Sequence, residues 1–464
     1  MRSGMIALLF APILSTASHA QYSGSVTLTD AFATITNGPR TSIVIPSVWG
    51  GAGSTTATSD YNTGTNWSSG SAPLGSNSAA VFTTTGSTTV NVSAGPITPD
   101  SWTFAADAQS FTVNGAAVNF GVAGSGGGII DNANSGQSIE IINNIGGAGA
   151  QVQLLGSSTL VLSGTNSYSG GTLITAGAVQ VTNASSVGTG TVTLNGGLFQ
   201  VQSGIAGVTF SNDFKINNSP FGSAIDANGT TLTIAGNISD DNGHGQLTVQ
   251  DSFGGGKVVL LGNNTYTGGT TICLCGTLQL GDATHSASLV GPVINEGTFR
   301  IFNANTSGIT SLNNDGGLTT FFNSTSASAI MINNVFAGRT IFDDASTAGQ
   351  ATIVNTNGGI TQFGRAGGSD TSTAGNASID NSLGGGIFFR AFSNAGTATI
   401  TNHDGGGINF ENHASGASAN IINNSGGSTA FLDFSTAGNT NVVTNNGGQL
   451  GFFNHSDAGN GSSP

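Results

Sequence analysis

The last third of the chain places a phenylalanine every 21 residues, and this spacing restricts the possible folds more than any other feature. The column comprises Phe321, Phe342, Phe363, Phe389, Phe410, Phe431 and Phe452. Three further columns keep the period: Ile332, Ile353, Ile379, Ile400, Ile421 and Val442; Asn313, Asn334, Asn355, Asn381, Asn402, Asn423 and Thr444; Gly317, Gly338, Gly359, Gly385, Gly406, Gly427 and Gly448. All four jump by 26 residues at one place, between Phe363 and Gly375, which indicates a structural repeat with one insertion.

A repeat of this length predicts a solenoid, in which each unit buries its apolar face against its neighbours. Two helices and a turn do not fit comfortably into 21 residues, whereas two or three short strands do. Stacked coils would lie about 4.8 Å apart, with phenylalanine on phenylalanine inside and an asparagine ladder at a turn. We therefore predict an all-β, right-handed parallel β-helix (β-solenoid) of roughly 20 coils, taking the hand from the bias of parallel crossovers.

Two pairs of opposite charges test this register. Arg390 and Glu411 are 21 residues apart, and so are Asp344 and Arg365. The register predicts that each pair lies in adjacent coils, although exposed ion pairs contribute at most about 1 kcal/mol.

The composition favours the same class of fold. Glycine supplies 74 of 464 residues and charged residues only 6%, against about 25% charged in an ordinary globular protein. Lysine, glutamate, arginine and methionine, which favour helices, are scarce, and this argues against helical repeats. Short strands joined by tight turns suit such a chain.

The charge balance excludes some partners. The net charge is −14, from 22 acidic and 8 basic residues, and the only lysines are Lys215 and Lys257. No run of Lys or Arg occurs in the sequence. Nucleic-acid binding needs a basic footprint, and docking to an anionic membrane surface needs one too. Neither partner is expected.

The first 20 residues are predicted to be a secretory signal peptide. Arg2 precedes a short apolar segment, residues 5–14, and small residues at Ser18 and Ala20 form a cleavage site before Gln21. The apolar segment is shorter than the roughly 20 residues that a membrane span needs. The mature chain is thus expected to be exported through the periplasm, without a transmembrane segment of its own. Only two cysteines occur, so a disulfide framework is not expected.

Three regions are expected after the signal peptide. Residues 21–125 form an N-terminal β region of the solenoid and contain all three tryptophans. Residues 126–300 contain a duplicated block, with residues 159–172 repeated 98 positions later as residues 257–270. Both copies contain a Gly-Gly pair just before their last residue, and this pair fits a tight turn with positive φ. Residues 301–464 hold the 21-residue repeats.

The duplicated block resembles the autotransporter-associated β-strand repeat of Gram-negative passenger regions. The resemblance rests on Asn-x-Tyr-x-Gly-Gly-Thr, seen at residues 166–172 and 264–270, after an apolar strand and a glycine. It implies a right-handed β-helix displayed on or released from the outer membrane, with outer-membrane secretion machinery as a partner. Autotransporters carry a C-terminal β-barrel, but this sequence stops in repeats and a polar tail. We therefore expect a truncated or split passenger that lacks the C-terminal barrel, or a fragment of a longer reading frame.

No catalytic, cofactor or metal residues are predicted. Cys273 and Cys275, spaced i, i+2 in an expected strand, point to one face, but zinc needs four ligands and no second Cys pair exists. They are interpreted as two small apolar residues. His413 and His455 share a column two coils apart, roughly 10 Å, which is too far to share a metal. His403 lies in another column.

The acidic residues also indicate no active site. Asp240–Asp241 and Asp343–Asp344 are adjacent pairs, and neighbours in a strand face opposite ways while those in turns accept backbone N–H groups. We predict a non-enzymatic structural or adhesion protein at the cell surface or outside the cell, binding surface glycans or other cells. The alternative is a secreted β-helix enzyme that degrades polysaccharide, and an acidic cluster converging on one face would favour it.

Overall fold

The computed structural model describes residues 46–51, 58–121, 127–220 and 222–460. The predicted signal peptide, residues 1–20, lies outside this part of the chain. The described residues form 41 strands and one 3-10 turn, Gly64–Asn66. Every pairing between strands is parallel, and successive coils stack into three long sheets. The predicted all-β solenoid is confirmed.

Sheet A covers the first half of the rod. Its nine strands are Ser47–Val48, Ala79–Phe82, Ser101–Phe104, Gly128–Asp131, Gln151–Leu154, Thr172–Ile174, Val192–Leu194, Phe214–Ile216 and Ile238–Asp240.

Sheet B runs the length of the described rod, with one strand in each of about 18 turns. Its strands are Thr58–Asp60, Thr89–Val92, Phe111–Gly115, Ser138–Ile141, Thr159–Leu162, Ala178–Val181, Leu198–Val201, Ser223–Asp226, Leu247–Gln250, Thr270–Ile272, Gly291–Asn295, Ile309–Asp315, Met331–Val335, Thr352–Asn355, Ser378–Asn381, Thr399–Asn402, Asn420–Asn423 and Asn441–Thr444. At about 4.8 Å per turn, the rod is on the order of 80 Å long.

Sheet C covers the second half. Its twelve strands are Val208–Phe210, Thr231–Ile234, Lys257–Leu260, Thr277–Leu280, Thr298–Phe302, Leu318–Phe322, Arg339–Phe342, Ile360–Phe363, Gly386–Phe389, Gly407–Phe410, Ser428–Phe431 and Gln449–Phe452. A small fourth sheet pairs Val118–Asn119 with Ile145–Gly146.

The two copies of the duplicated block occupy different sheets. In the first copy Thr159–Leu162 lies in sheet B and Thr172–Ile174 in sheet A. In the second copy Lys257–Leu260 lies in sheet C and Thr270–Ile272 in sheet B. Between residues 208 and 250 each coil contributes one strand to each of the three sheets. The second copy of the block therefore begins in sheet C, whereas the first copy begins in sheet B.

The phenylalanine column fills the interior as predicted. Ring centroids of successive members lie 4.5–5.0 Å apart with interplanar angles of 14° or less. Six members are completely buried, and the last, Phe452, is 40% exposed. The stack passes the insertion undisturbed, since Phe363 and Phe389 are 4.7 Å apart. The aliphatic column is likewise in register from Ile332 to Val442.

The predicted asparagine column is wrong at one position. Asn314, rather than the predicted Asn313, pairs with Asn334, because the turn between Asn334 and Gly338 is one residue longer than that after Asn314. Asn313 instead accepts a hydrogen bond from Asn333 on the outer surface (2.6 Å). The buried ladder comprises Asn295, Asn314, Asn334, Asn355, Asn381, Asn402 and Asn423, all at the ends of sheet B strands.

The glycine column is explained by close packing between coils. A Cβ atom at Gly338 would overlap the backbone carbonyl of Asn314, and one at Gly406 would overlap that of Asn381. In the Gly-Gly pair of the first duplicated block, each position requires glycine for a different reason. Gly171 has a φ of +94°, as predicted, whereas Gly170 has no room for a side chain against the carbonyl of Gly149.

Candidate functional site

The insertion that breaks the 21-residue period forms an acidic cluster around one arginine. Arg365 lies 3.1 Å from Asp344, 3.3 Å from Asp370 and 3.6 Å from Asp343. The predicted Asp344–Arg365 pair is therefore confirmed. The strand ends at Phe342 and Asp344 has a φ of +54°, so the pair lies in a turn and both carboxylates reach Arg365. Asp344 also accepts the backbone N–H of Asn323 (2.9 Å), as expected for an acidic residue in a turn.

The two buried carboxyl groups of this acidic cluster differ in acidity. Asp343 is 5% exposed, and burial raises its pKa to about 6 against the attraction of Arg365. Burial also opposes the ionised form of Asp370, but hydrogen bonds from the side chain and backbone of Arg365 outweigh it, so the pKa of Asp370 lies below its usual value. Asp370 is ionised and fully engaged, whereas one oxygen of Asp343 has no hydrogen-bond partner in the described residues.

The other acidic pair behaves as the sequence predicted. Asp240 accepts hydrogen bonds from the backbone of Gly245 and the hydroxyl of Thr267 (both 2.7 Å). Asp241 faces Lys215, with Nζ 3.0 Å from its carboxylate. The two carboxylates serve different partners and do not form a couple.

The two cysteines lie on a turn and not in a strand, which corrects the prediction. The sheet B strand ends at Ile272, and Cys273 to Cys275 form the turn before Thr277. Their Sγ atoms are 2.9 Å apart, and Leu274 between them is 82% exposed. Burial and the neighbouring Cys275 thiol raise the pKa of Cys273. The two residues are surface thiols, in contact with each other.

The three histidines singled out in the sequence belong to two separate surface features. His413 and His455 share one column, as predicted, but Phe392 and Phe434 complete it, forming an outward stack with centroids 5.1–5.6 Å apart. His403 lies between two carboxylates, with Nδ1 2.9 Å from Asp404 and Nε2 3.0 Å from Asp380, and the bond to Asp404 is the main reason that its pKa is raised. No group of three or more His, Cys, Asp or Glu side chains in the described residues is arranged to hold a metal ion.

Sequence reasoning missed a cationic surface, because basic residues far apart in the chain meet on one sheet. Of the six lysines and arginines in the described residues, five lie in or just after strands of sheet C. We call their surface the cationic face; it comprises Lys257, Arg300, Arg339, Arg365 and Arg390. A search for local runs of Lys and Arg finds nothing, whereas aligning the coils in register would have found the face.

Neutral groups hold most of these cations in place. The Nζ of Lys257 donates to Gln279 (2.9 Å), and the guanidinium groups of Arg339 and Arg390 both donate to the side-chain oxygen of Gln362 (3.0 and 3.2 Å). Arg390 also pairs with Glu411 at 2.9 Å, as the register predicted.

Aromatic rings support the middle of the cationic face. The guanidinium of Arg300 lies 4.9 Å from the ring centroid of Phe322 and 5.5 Å from that of Phe302. These two rings stack on each other at 4.2 Å, and Phe388 supports Arg390 at 4.8 Å. Cation–π contacts of this kind orient a guanidinium without neutralising it.

A shallow depression lies at one end of the cationic face. Its volume is about 290 Å³, and Lys257, Arg300, Thr277 and Cys275 are among its lining residues. The carboxylate of Asp251 also lines it but is occupied by the backbone N–H groups of Gly229 and Gly256 (both 2.6 Å). A second depression of about 340 Å³ contains Lys215, which is paired with Asp241.

These features define a repeat-built β-solenoid with a patterned outer surface, the class to which the comparisons with known proteins also point. Residues 155–181 and 253–286 match the profile of the passenger-associated-transport repeat. Both copies of the duplicated block lie within these stretches.

One characterised relative is the adhesin BmaC autotransporter of Brucella suis biovar 1 (strain 1330), 29% identical over 245 residues. The match covers 52% of this chain and spans 7% of the length of that relative. The repeats and the relative together support an autotransporter passenger, as the resemblance of the duplicated block predicted.

Among solved structures, the chain is similar to the TibC-catalyzed hyper-glycosylated TibA55-350 fragment. The identity is 18%, the match covers 82% of this chain and 100% of that one, and the TM-score is 0.20. This score is too low to support a structural argument. In the part of the chain that the structure describes, no helix has the length and hydropathy needed to cross a membrane.

Proposed function

We propose that this chain is a non-enzymatic adhesive passenger, exported through the periplasm and displayed at the cell surface or released from it. The observation that carries the proposal is the coincidence of two passenger-associated-transport repeats with similarity to an autotransporter adhesin over half of the chain. The uninterrupted stack of coils is consistent with a rod that presents a surface rather than a cleft.

The physical basis of adhesion in this proposal is repetition. Outward positions recur at each turn, and many carry hydroxyl or amide groups, such as Ser326, Thr347, Thr373, Asn394, Ser415 and Thr436 in one bridged column. Each group binds weakly, but a ligand that contacts several turns at once gains avidity from its high effective concentration at the next site. Partners with repeating structure, such as surface glycans or neighbouring cells, suit this surface.

Deleting the gene and restoring it tests the proposal. We expect deletion to reduce attachment and clumping and the restored gene to recover both. Protease added to intact cells should remove the protein while a periplasmic marker survives, if the chain is displayed. Unchanged attachment and clumping after deletion would contradict the adhesive role. If the protein stays with intact cells and is not digested by the added protease, display at the surface is contradicted.

The acidic cluster supports the second candidate, a polysaccharide-degrading enzyme. It combines a carboxyl group of raised pKa, Asp343, with an ionised one, Asp370, a pattern that acid–base hydrolysis uses. Both carboxyl groups are buried against Arg365, however, which leaves them little contact with a substrate. Depolymerisation of a glycan by the purified protein, abolished in Asp343→Asn, would establish the enzyme; the adhesive proposal expects no depolymerisation.

A further inference from the structure

We infer that the cationic face binds an acidic polysaccharide lying along the rod, with a carboxylate on every second sugar. This inference rests on the proposed adhesive function and names its site and ligand class. It follows from the charge state, the spacing and the chemistry of the side chains on sheet C.

Three cations of the cationic face form no ion pair. In the described residues, Lys257, Arg300 and Arg339 form no ion pair with a carboxylate, although the chain carries a net charge of −14. Their contacts are with side-chain amides and aromatic rings, which position the charge and leave it available. Positive side chains that form no ion pair favour an anionic ligand, because lysine and arginine form strong charge-assisted hydrogen bonds with carboxylates.

The cations recur at alternate turns. Lys257, Arg300, Arg339 and Arg390 lie on or directly after every second strand of sheet C. Strands in the sheet are about 4.8 Å apart, so the Cα atoms of Lys257, Arg300 and Arg339, the three cations without an ion pair, are about 10 Å apart along the rod. Arg390 does not extend this series of charges, because it is paired with Glu411 and shares the side-chain oxygen of Gln362 with Arg339. A linear glycan with one carboxylate per disaccharide has a charge repeat on the same scale, and it would contact successive cations with successive carboxylates.

The groups between the cations suit sugars. Thr277 and Thr298 place hydroxyl side chains between Lys257 and the turn of Arg339, and the depression between Lys257 and Arg300 offers a concave polar surface. The stacked rings of Phe302 and Phe322 are partly exposed and offer an apolar surface to sugar C–H groups. Hydroxyl groups and partly exposed aromatic rings together are more typical of carbohydrate recognition than of binding to a bare polyanion.

Nucleic acid fits the cationic face less well. Duplex DNA carries one charge per about 1.7 Å, and its binding strength depends on neutralising many phosphates at once. Three cations without an ion pair, with Cα atoms at about 10 Å intervals, neutralise few phosphates, and the net charge of −14 repels the remainder. We therefore commit to a glycan and treat nucleic acid as an outcome of the test.

The test measures binding of the purified chain to hyaluronan, whose glucuronate occupies every second sugar, with neutral dextran and single-stranded DNA as comparison probes. The variant is Arg300→Gln combined with Arg339→Gln, and the matched control is Lys215→Gln, a lysine outside the cationic face. We expect hyaluronan to bind to the wild-type chain more weakly as salt rises, and the double variant to lose binding by on the order of tenfold or more. The Lys215→Gln variant should keep it, and circular dichroism should be the same for all three proteins.

Several results would overturn the inference. They are equal binding of dextran, tighter binding of single-stranded DNA than of hyaluronan, or an equal loss in the Lys215→Gln variant. The adhesive function and the glycan-binding site can also be disproved independently of each other. If cells carrying the double variant attach to a hyaluronan-coated surface like wild-type cells, while gene deletion abolishes attachment, the adhesive function stands and this site is wrong. If deletion leaves attachment unchanged while the purified chain still binds hyaluronan at the cationic face, the adhesive function is wrong and the site stands.

Discussion

The side-chain amide of Asn334 donates a 2.8 Å hydrogen bond to the amide oxygen of Asn355, one turn further along the rod, and both side chains are completely buried. Thr361 completes the arrangement by donating to the same oxygen at 2.9 Å. A row of polar groups thus runs through an otherwise apolar interior, stabilised by its own repetition. The row has one gap, at the insertion, where the Nδ2 of Asn355 and the Oδ1 of Asn381 lack hydrogen-bond partners in the described residues.

Replacing Asn402 by alanine is expected to lower the free energy of unfolding by about 1–3 kcal/mol, because it leaves buried polar groups unpaired. Asn402 accepts from Asn381 and donates to Asn423. The exposed Asn420 one strand further on is the control, and its replacement should cost less than about 0.5 kcal/mol. Urea unfolding followed by circular dichroism measures both, and equal midpoints for the two variants would contradict a stabilising ladder.

Phe410→Asp is expected to loosen the array strongly, since it places a carboxylate between the rings of Phe389 and Phe431. Ser415→Asp should change little. Its hydroxyl accepts the N–H of Ala417, and in the same column Asp457 already accepts the corresponding N–H of the last described turn. Thermal unfolding distinguishes the two, and a similar loss in both variants would argue against the assigned stack.

Gly406→Ala is expected to destabilise the rod by about 1–3 kcal/mol or more, because the added methyl group meets the carbonyl of Asn381 in the adjacent coil. Gly75→Ala provides the comparison, since nothing lies within 4 Å of a Cβ there and its φ does not require glycine. Urea midpoints provide the readout. A neutral Gly406→Ala would mean that the coils do not approach as closely as described.

Asp343→Asn is expected to change how stability depends on pH. The pKa of Asp343 is raised from its ordinary value near 4 to about 6, so the folded state binds this proton more tightly than the unfolded chain. Its contribution to stability is therefore fully present below about pH 4 and is lost as the pH rises through about 6. Asparagine mimics the neutral form, so relative to wild type the variant should gain on the order of 2 kcal/mol between pH 4 and pH 7.

The control for that experiment is Asp344→Asn, which removes a half-exposed partner of Arg365 and should shift stability by less than about 1 kcal/mol. Melting temperatures at several pH values between 4 and 7 suffice for both variants. A constant difference between wild type and Asp343→Asn across this range would show that Asp343 titrates normally.

Replacing Cys273 and Cys275 together by serine should leave the free energy of unfolding within about 0.5 kcal/mol of wild type, because the turn that carries them is at the surface. Ile272→Ala, in the buried strand directly before them, should cost about 2–5 kcal/mol. Guanidinium unfolding in the presence of a reductant compares the three proteins. A large loss in the serine variant would give the thiols a structural role that the surface turn does not explain.

The sequence was sufficient to predict the interior of the second half of the rod. A fixed period places equivalent residues above one another, so Phe, Ile and Gly columns translate directly into stacked rings, packed aliphatic groups and close backbone contacts. The slip from Asn313 to Asn314 was not predictable, because it depends on a turn that gains one residue while the phenylalanine spacing stays at 21. Turn lengths vary independently of the core spacing.

The outer surface was harder to predict than the interior. The ion pairs of Arg390 and Arg365 followed from the register, but the convergence of Asp343 and Asp370 depends on how the chain leaves a strand. The cationic face was missed because successive members are 25 to 43 residues apart along the chain. The change of sheet between the two duplicated blocks follows from coils with three strands, a number that the repeat itself does not specify.

The insertion after Phe363 leaves the ring stack intact, because all of its extra length projects outward at residues 365–369. Gly367 lies at its tip, with open space around it. A foreign peptide spliced in at this position would therefore sit at one fixed height above the neighbouring turns. With further grafts at other bends, the rod becomes a molecular ruler on which epitopes can be mounted at intervals set by the turn spacing.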